Sequence, residues 1–500
     1  MSVKRNIIAG WAAHLVTVLI GFFLMPYILG VLGEARYGAW LLVNALAAYS
    51  GIIYAGFGAT ICRYVADAYA RQQWSRLNAV VSTIQAVYYG SASLVLIATA
   101  IVAFLASRFD RWEGVPLTEV QLSILMVGFG VAFGMVTSVY GGVLVGTQQL
   151  AGKRAIEVAC GVLRGVITLF CLTQSWGLLQ LALVFLCVTI VEQICSAWLA
   201  YRSVPTLRVN WQQVDREVLK ECFGFSAFSA VAMAAEYLIY FTDTIVIGLI
   251  LGPIAIVPYQ IALRIAQMVQ LPIAQIGEAI LPKAGELHAT GRRAQLGTLV
   301  SRSMGLALLL AGGFCIGGIY FGEMLVKTWI GFSYPETPLV LGILLGAQVV
   351  AMPMVIVRKA LLGSGEVRIT AMIDLLEAVL NLILSLIFIQ YWGIVGVAVG
   401  TLIPLAIVET TLLLPYAARK LSISPELLLK QVLLPVLPSL AALWLSCELL
   451  SRQLPASGWI PLLGATAGGG VILLGTRGLI WWWERLELPV NTGPAVEHSA

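Results

Sequence analysis

The sequence predicts an all-α polytopic membrane protein of about fourteen transmembrane helices, with two six-helix lobes as parallel repeats and two C-terminal helices after them. Three observations predict it. Sixty per cent of the 500 residues are hydrophobic and 11% are charged, with a mean hydropathy of +0.92, far more apolar than a water-soluble core requires. Stretches long enough to cross a bilayer core recur along the whole chain. The chain also matches itself at an offset of about 217 residues.

The first span, about 7–29, follows Lys4 and Arg5. It lacks an Ala-x-Ala cleavage pattern and is too long for the apolar region of a signal peptide, so it reads as an uncleaved helix. Further spans are expected at about 37–60, 79–106, 118–145, 155–175, 178–201, 224–251, 254–281, 298–321, 336–362, 368–390, 393–417, 431–450 and 458–482. Basic residues mark every second boundary in turn: Arg63, Arg71 and Arg76, then Lys153 and Arg154, Arg202 to Lys220, Lys283 to Arg302, Arg358 to Arg368, Arg419 to Lys430, and Arg477 with Arg485. With Lys4 and Arg5, 23 of the 30 Lys and Arg residues lie on one side. Five lie on the other, with Arg164 and Arg264 inside spans. Cytoplasmic loops are enriched in these residues, so both termini are expected in the cytoplasm.

The loops are short, about 2 to 20 residues, and none would hold a soluble domain. Function must therefore lie within or between helices. The tail from 484 to 500 is polar and Pro-interrupted and reads as disordered.

At the repeat offset, Leu144 to Ala159 lies over Leu361 to Leu376, so Glu157 falls on Asp374. Trp176-Gly177 falls near Trp392-Gly393, and Glu192 falls on Glu409. The offset equals six spans, an even number, which relates the halves by an axis along the membrane normal. The expected domains are an N-terminal lobe, 1–202, a cytoplasmic linker, 203–223, a C-terminal lobe, 224–417, and two extra helices within 431–482. Transporters built from such repeats hold substrate between their lobes.

The eight cysteines show no CxxC or metal-ligand spacing, and there are only three histidines. No phosphate-cradling glycine loop or nucleophile motif is present in the sequence. No catalytic site, cofactor, metal or nucleic-acid partner is expected.

Gly224 to Lys283 places several charges in sequence apolar enough to lie in lipid. It carries Glu236, Asp243, Arg264 and Glu278, and a charge at mid-membrane costs roughly 2.5 to 3.5 kcal/mol even on lenient scales. On a continuous helix Gln260, Arg264, Gln267, Gln275 and Glu278 fall within an arc of about 80°, and Ser229, Glu236, Tyr240 and Asp243 within about 60° on the preceding one. Two wet faces side by side predict a cavity wall. A bend is expected near Pro272, which cannot donate to the helical ladder.

Particular stretches resemble a known family: PYILGVLGEARYGAW from Pro26, GFGATICRYVADAYARQQ from Gly56, VLVGTQQ from Val143 and TDTIVIGLILGPIAIVPYQIALRI from Thr242. They are similar to the polysaccharide transporter, or O-antigen flippase, branch of the multidrug/oligosaccharidyl-lipid/polysaccharide superfamily. The resemblance implies a V-shaped cavity between two lobes. It also implies movement of an undecaprenyl-pyrophosphate-linked saccharide, as for O-antigen or exopolysaccharide, across a bacterial inner membrane, with a polysaccharide polymerase and glycosyltransferases as partners. The lipid-II flippases of that superfamily are associated with arginines in helices 1, 2 and 8. Here helix 1 has none and helix 2 has only Arg63 at its end, which argues against a peptidoglycan substrate.

Arg264 is the first candidate for substrate binding, because a guanidinium fork suits a pyrophosphate. Arg164, Arg63, Gln260 and Gln267 are the others on that list. Glu236, Asp243, Glu278 and Asp374 are candidates for coupling to a proton or sodium ion, and at least one of the first three is expected to pair with Arg264 when the site is empty. An internal ion pair that only fixes packing is the alternative for Arg264, and for Arg164 beside Glu157. Glu192 and Glu409 suggest a shared architectural role. Two other functions stay open: a cation-coupled multidrug-type antiporter, which would want an acidic, aromatic cavity, and a membrane-embedded glycosyl or acyl transferase, which the short loops disfavour.

Overall fold

A computed structural model describes residues 3–487 apart from 54–56, 110, 113, 175–176 and 456; the side chains of 3–19, 53, 59, 223–232, 236, 240 and 479–487 also lie outside the description. His14, Ser229, Glu236 and Tyr240, together with the tail from 488, therefore fall outside the described residues. The described chain is helical without strands: α1 Val3–Tyr49, α2 Phe57–Ala70, α3 Trp74–Leu105, α4 Leu117–Gly146, α5 Leu150–Thr173, α6 Leu178–Ser203, α7 Arg216–Leu251, α8 Ile256–Gln267, α9 Gln270–Ala289, α10 Arg293–Ile330, α11 Thr337–Gly363, α12 Val367–Leu421, α13 Pro425–Ser451 and α14 Trp459–Glu487. Among the described residues, nine of these helices are long and apolar enough to cross a membrane, or ten if a bent pair within α7 is one span. The protein is an all-α, multi-pass membrane protein, and the count of fourteen spans remains an expectation.

Glycine sets two breaks inside the longest helices. Gly33 in α1 has φ 76° and Gly393 in α12 has φ 56°, and left-handed backbone of this kind is cheap only without a Cβ. Gly33 lies in the gap between two expected spans, and Gly393 is the first residue of the expected span 393–417. Where a bend was expected in the eighth span, the helix is interrupted between α8 and α9 at Met268 and Val269. Met268 is four residues before Pro272, and its carbonyl is the one that loses its donor and meets the proline ring.

By internal contacts the chain forms two compact units, residues 1–260 with 371–400, and residues 261–370 with 401–500. In the first unit, α4 packs against α2, α3 and α6. Gly142 and Gly146, four apart, face α2: a Cβ on Gly146 would stand 2.8 Å from Val65, so small residues set the close approach. The core here includes Ile61, Val65, Ile84, Tyr88, Met135 and Leu144. In the second unit, α11 packs between α9 and α10, and α13 and α14 pack on α10. Gly305 of α10 sits where a Cβ would lie 2.6 Å from the Gln431 carbonyl, which admits the start of α13.

The segment joining α6 to α7 is an ordered strap on α3. Asn78 donates to the Thr206 carbonyl at 3.0 Å and accepts from the Arg208 amide at 3.0 Å. Ser82 and Thr83 accept from the Asn210 and Asp215 amides at 3.1 and 3.0 Å. Trp211 stacks on Tyr89 with ring centroids 5.3 Å apart. Polar side chains buried in α3 thus satisfy the backbone of a strap that has no helical partner of its own. Asn78→Leu would orphan two such groups, and a loss of roughly 1 to 3 kcal/mol each way of counting is expected. Thermal unfolding in detergent should show a clearly lower midpoint, whereas an unchanged midpoint would mean the strap is held by Trp211 and apolar packing.

Candidate functional site

Three consecutive α7 residues of the first unit each reach another helix. Thr242 and Tyr49 of α1 share a hydrogen bond between hydroxyls. Tyr259 of α8 donates to Asp243 Oδ2 at 2.5 Å, and Gln260 donates to Thr244 Oγ1 at 2.6 Å. All three α7 residues are buried, with Asp243 4% exposed and Tyr259 fully covered. A helix places consecutive side chains about 100° apart, so one turn touches α1 and α8 at once. Gly252, the C-cap of α7 with φ 100°, turns the chain so that α8 returns beside it. The result is a carboxylate inside an apolar span with a phenol as its near neighbour, a group able to take or hold one proton or small cation.

The second unit holds Arg264, Gln267 and Glu278 in a different arrangement from the expected one. Arg264 is exposed and makes no ion pair with a described carboxylate of its own unit. Glu278 instead pairs with Lys359 of α11 at 2.5 Å. Of the three carboxylates expected to include a partner for Arg264, Glu236 lies outside the described side chains, and two physical reasons give Glu278 to Lys359 instead. The break at Met268 and Val269 ends the continuous helical wheel on which the two shared a face, and Gly277 leaves room for the Lys359 stem, 3.0 Å from a Cβ built there. Gln267 is half-buried, and Gln270 donates to Gln348 at 3.4 Å.

The neighbouring Arg358 turns to the other side and meets Glu409 at 2.6 Å. Glu409 is 1% exposed and begins a π-helical turn, Glu409–Leu413, a local widening that often marks functional positions. The charge count had set Arg358 and Lys359 on the cytoplasmic side, at the end of the expected span 336–362. Glu192, the repeat partner of Glu409, also has an arginine: Arg164 lies 3.6 Å from Glu192 and 5.4 Å over the Phe185 ring. Glu157 pairs with Arg154 at 2.7 Å and not with Arg164. The sequence match set the two glutamates over each other, and each has an arginine beside it.

Arg63 is exposed on α2 and lies 5.8 Å from the Tyr64 ring centre. Asp374 is half-buried on α12, one turn before the buried Glu377 and on the helix that also buries Asn381 and Ser385. Among the described residues, no group of three or more His, Cys, Asp or Glu side chains is placed to hold a metal ion.

Between α11 and α12, hydrogen bonds from Lys420 at 2.5 Å and Tyr416 at 2.6 Å hold the Glu366 carboxyl below the usual carboxylate range. A carboxyl depressed in the folded state stabilises it above the unfolded value and loses that contribution as pH falls through the folded one. Lys420→Met should therefore lower the unfolding midpoint at pH 7 and lower it much less below about pH 4. Equal losses at both values would assign the effect to packing of the lysine stem.

Comparison with known proteins places these features. A family model described as polysaccharide biosynthesis protein matches residues 3–288, and the MatE model matches residues 229–387. A probable low-salt glycan biosynthesis flippase, Agl15 of Haloferax volcanii, is 26% identical over 204 residues; the match covers 41% of this chain and 43% of that relative, less than half its length. The membrane protein EpsK of Bacillus subtilis, itself uncharacterized, is 21% identical over 93% of this chain and 92% of its own. The structure of the lipid II flippase MurJ in an inward closed conformation superposes with a TM-score of 0.68 at 12% identity, covering 97% of this chain and all of that one, a likeness of fold. With more than half of its length matched by one family model, the chain belongs to the polysaccharide biosynthesis protein family.

Proposed function

We propose that this protein is a flippase that moves a lipid-linked oligosaccharide across the membrane, a transporter and not an enzyme. Membership of the polysaccharide biosynthesis family carries the reading. An all-helical membrane fold and a relative named as a glycan biosynthesis flippase support it. The finer reading is an undecaprenyl-pyrophosphate-linked O-antigen or exopolysaccharide unit carried from the inner to the outer leaflet of a bacterial inner membrane. Both termini are cytoplasmic on the charge asymmetry. The repeat supports alternating access between lobes 1–202 and 224–417.

In this reading Arg264 receives the anionic headgroup, with Gln267, Gln260, Arg164 and Arg63 as further polar contacts along the path. Asp243 is the coupling carboxylate best supported by geometry, because Tyr259 can hold it in either protonation state by turning one hydroxyl. Glu278, Asp374 and Glu236 are the other candidates. A polysaccharide polymerase and glycosyltransferases would work beside it.

Purified protein in vesicles, given a labelled lipid-linked saccharide, should move it between leaflets, faster under an imposed proton or sodium gradient. Asp243→Asn keeps the size and the hydrogen bond to Tyr259 but cannot titrate, so it should flip at a rate that no gradient changes. Absence of flipping by the parent protein would refute the function, and full gradient response in Asp243→Asn would refute the coupling role. The MatE match over 229–387 favours a second reading, an ion-coupled antiporter of small molecules. Gradient-driven uptake of a cationic dye with no saccharide flipping would select it.

A further inference from the structure

A cavity of about 490 Å³ lies within the first unit, between α1, α3, α4, α7 and α12. Leu46, Val102, Ile124 and Val246 are among the side chains that line it, none of its described lining side chains is charged, and the hydrogen-bonded hydroxyls of Tyr49 and Thr242 stand on its wall. Its volume is in the range of pockets that hold small ligands. The face of α3 beside it is strongly exposed and apolar, with Leu94 58%, Ile97 57% and Ile101 53% accessible. Ala98, itself exposed, is the small residue set among those three, one turn from Leu94 and Ile101, and it lines the cavity. A large residue at 98 would continue the stripe and cover the opening. An alanine leaves a notch in it.

We infer that this cavity takes a length of the hydrocarbon tail of the polyprenyl carrier, entering past Ala98 from the bilayer. The inference rests on the flippase reading for the identity of the carrier. Three features fit a hydrocarbon chain over a headgroup or a sugar. Its described lining residues offer no cation for a phosphate, their polar side chains are only hydroxyls, of which Tyr49 and Thr242 bond each other while Ser50 and Thr99 are the others, and the exposed face of α3 beside it is apolar and suits lipid. The position also matters to the coupling chemistry. Thr242, on the cavity wall, precedes Asp243, so a chain that shifts the Tyr49 and Thr242 contact shifts the same turn of α7 that holds the carboxylate against Tyr259. Arrival of the tail and the state of the buried carboxylate are then linked through one turn of helix.

The test uses the full chain in vesicles of phosphatidylethanolamine and phosphatidylglycerol, with a diazirine-bearing polyprenyl phosphate photolysed and the crosslinked peptides mapped. Labelling is expected in the stretches around 94–102 of α3 and 238–246 of α7. Ala98→Phe places a ring in the mouth and Val102→Phe fills the interior from the next turn. Each should lower labelling about tenfold, the change expected when roughly two methylenes lose their burial. Ala100→Phe, on another face of α3 and outside the cavity lining, should leave it unchanged and controls for folding. A phospholipid with the diazirine on its acyl chain should label weakly and be displaced by excess polyprenyl phosphate. Absence of labelling, labelling indifferent to both filling variants, or acyl-chain labelling that polyprenyl phosphate does not displace would each overturn the proposal. Because crosslinking needs no transport, a protein that labels but does not flip refutes the flippase reading alone, and one that flips without labelling refutes the tail site alone.

Discussion

Arg264→Ala should reach the membrane in normal amounts and lose nearly all transport of lipid-linked saccharide, and Arg264→Lys should keep part of it. Arg264 is exposed and no described carboxylate of its own unit pairs with it, while Glu278 is held by Lys359. Removing it therefore leaves none of those carboxylates stranded, and a stability change within about 0.5 kcal/mol is expected, as for other substitutions that break no buried contact. Transport is then a clean reading of its role. A pyrophosphate offers oxygens in a plane that a guanidinium fork meets with two hydrogen bonds, whereas a lysine meets them as a point charge. Loss of one such charge-assisted contact is worth about 1.5 to 3 kcal/mol, or roughly one to two orders of magnitude in rate or affinity. Of the carboxylates expected to pair with Arg264, Glu278 has another partner. Normal export by both variants would make Arg264 a bystander, and Arg164, only 3.6 Å from Glu192, would be the next to test.

What was legible in the sequence was whatever depends on position along the chain. Hydropathy and basic residues located the helices; the glycine break at 33 falls between two expected spans and that at 393 on the first residue of one. Near Pro272 the helix is interrupted, at the carbonyl that the proline disturbs. What was not legible depends on who stands across from whom. Arg358 and Lys359 counted only as two cytoplasmic-side cations, yet they pair with Glu409 and Glu278 on different helices. The wheel that joined Arg264 to Glu278 assumed an unbroken helix. Asn78, Ser82 and Thr83 passed as polar residues tolerated in a long span, because nothing in local sequence says that a strap over a hundred residues later will use them. The TDT turn of α7 showed its aspartate as a charge in lipid, and Tyr259 gave no sign of being its partner until α8 was folded back on Gly252.

The pair between Arg358 and Glu409 should prove the most costly single contact to break in the second unit. Glu409 is 1% exposed, so it cannot recover hydration when its arginine is removed, and breaking a buried pair from one side costs about 3 to 5 kcal/mol. Arg358 itself is 26% exposed on its side chain, which places the expected loss for Arg358→Met near the lower end, about 3 kcal/mol. Glu409→Gln keeps hydrogen bonding and leaves a cation with some access to solvent, so it should cost less. Replacing both, as Arg358→Met with Glu409→Leu, removes the attraction together with the desolvation it offsets, and should return most of the lost stability. The Arg164 and Glu192 pair provides the contrast. At 3.6 Å, with 37% and 25% of the two side chains exposed, it should show a coupling of no more than about 1 kcal/mol in the same kind of double-substitution cycle. Unfolding midpoints of these variants, of Glu409→Leu alone, of Arg164→Met, Glu192→Leu and their combination, and of the parent, measured in one detergent, decide the matter. A double variant as unstable as Arg358→Met alone would mean that Arg358 acts through packing or through another partner. Equal couplings for the two pairs would mean that the glutamates, equivalent in the repeat, are equivalent in energy as well.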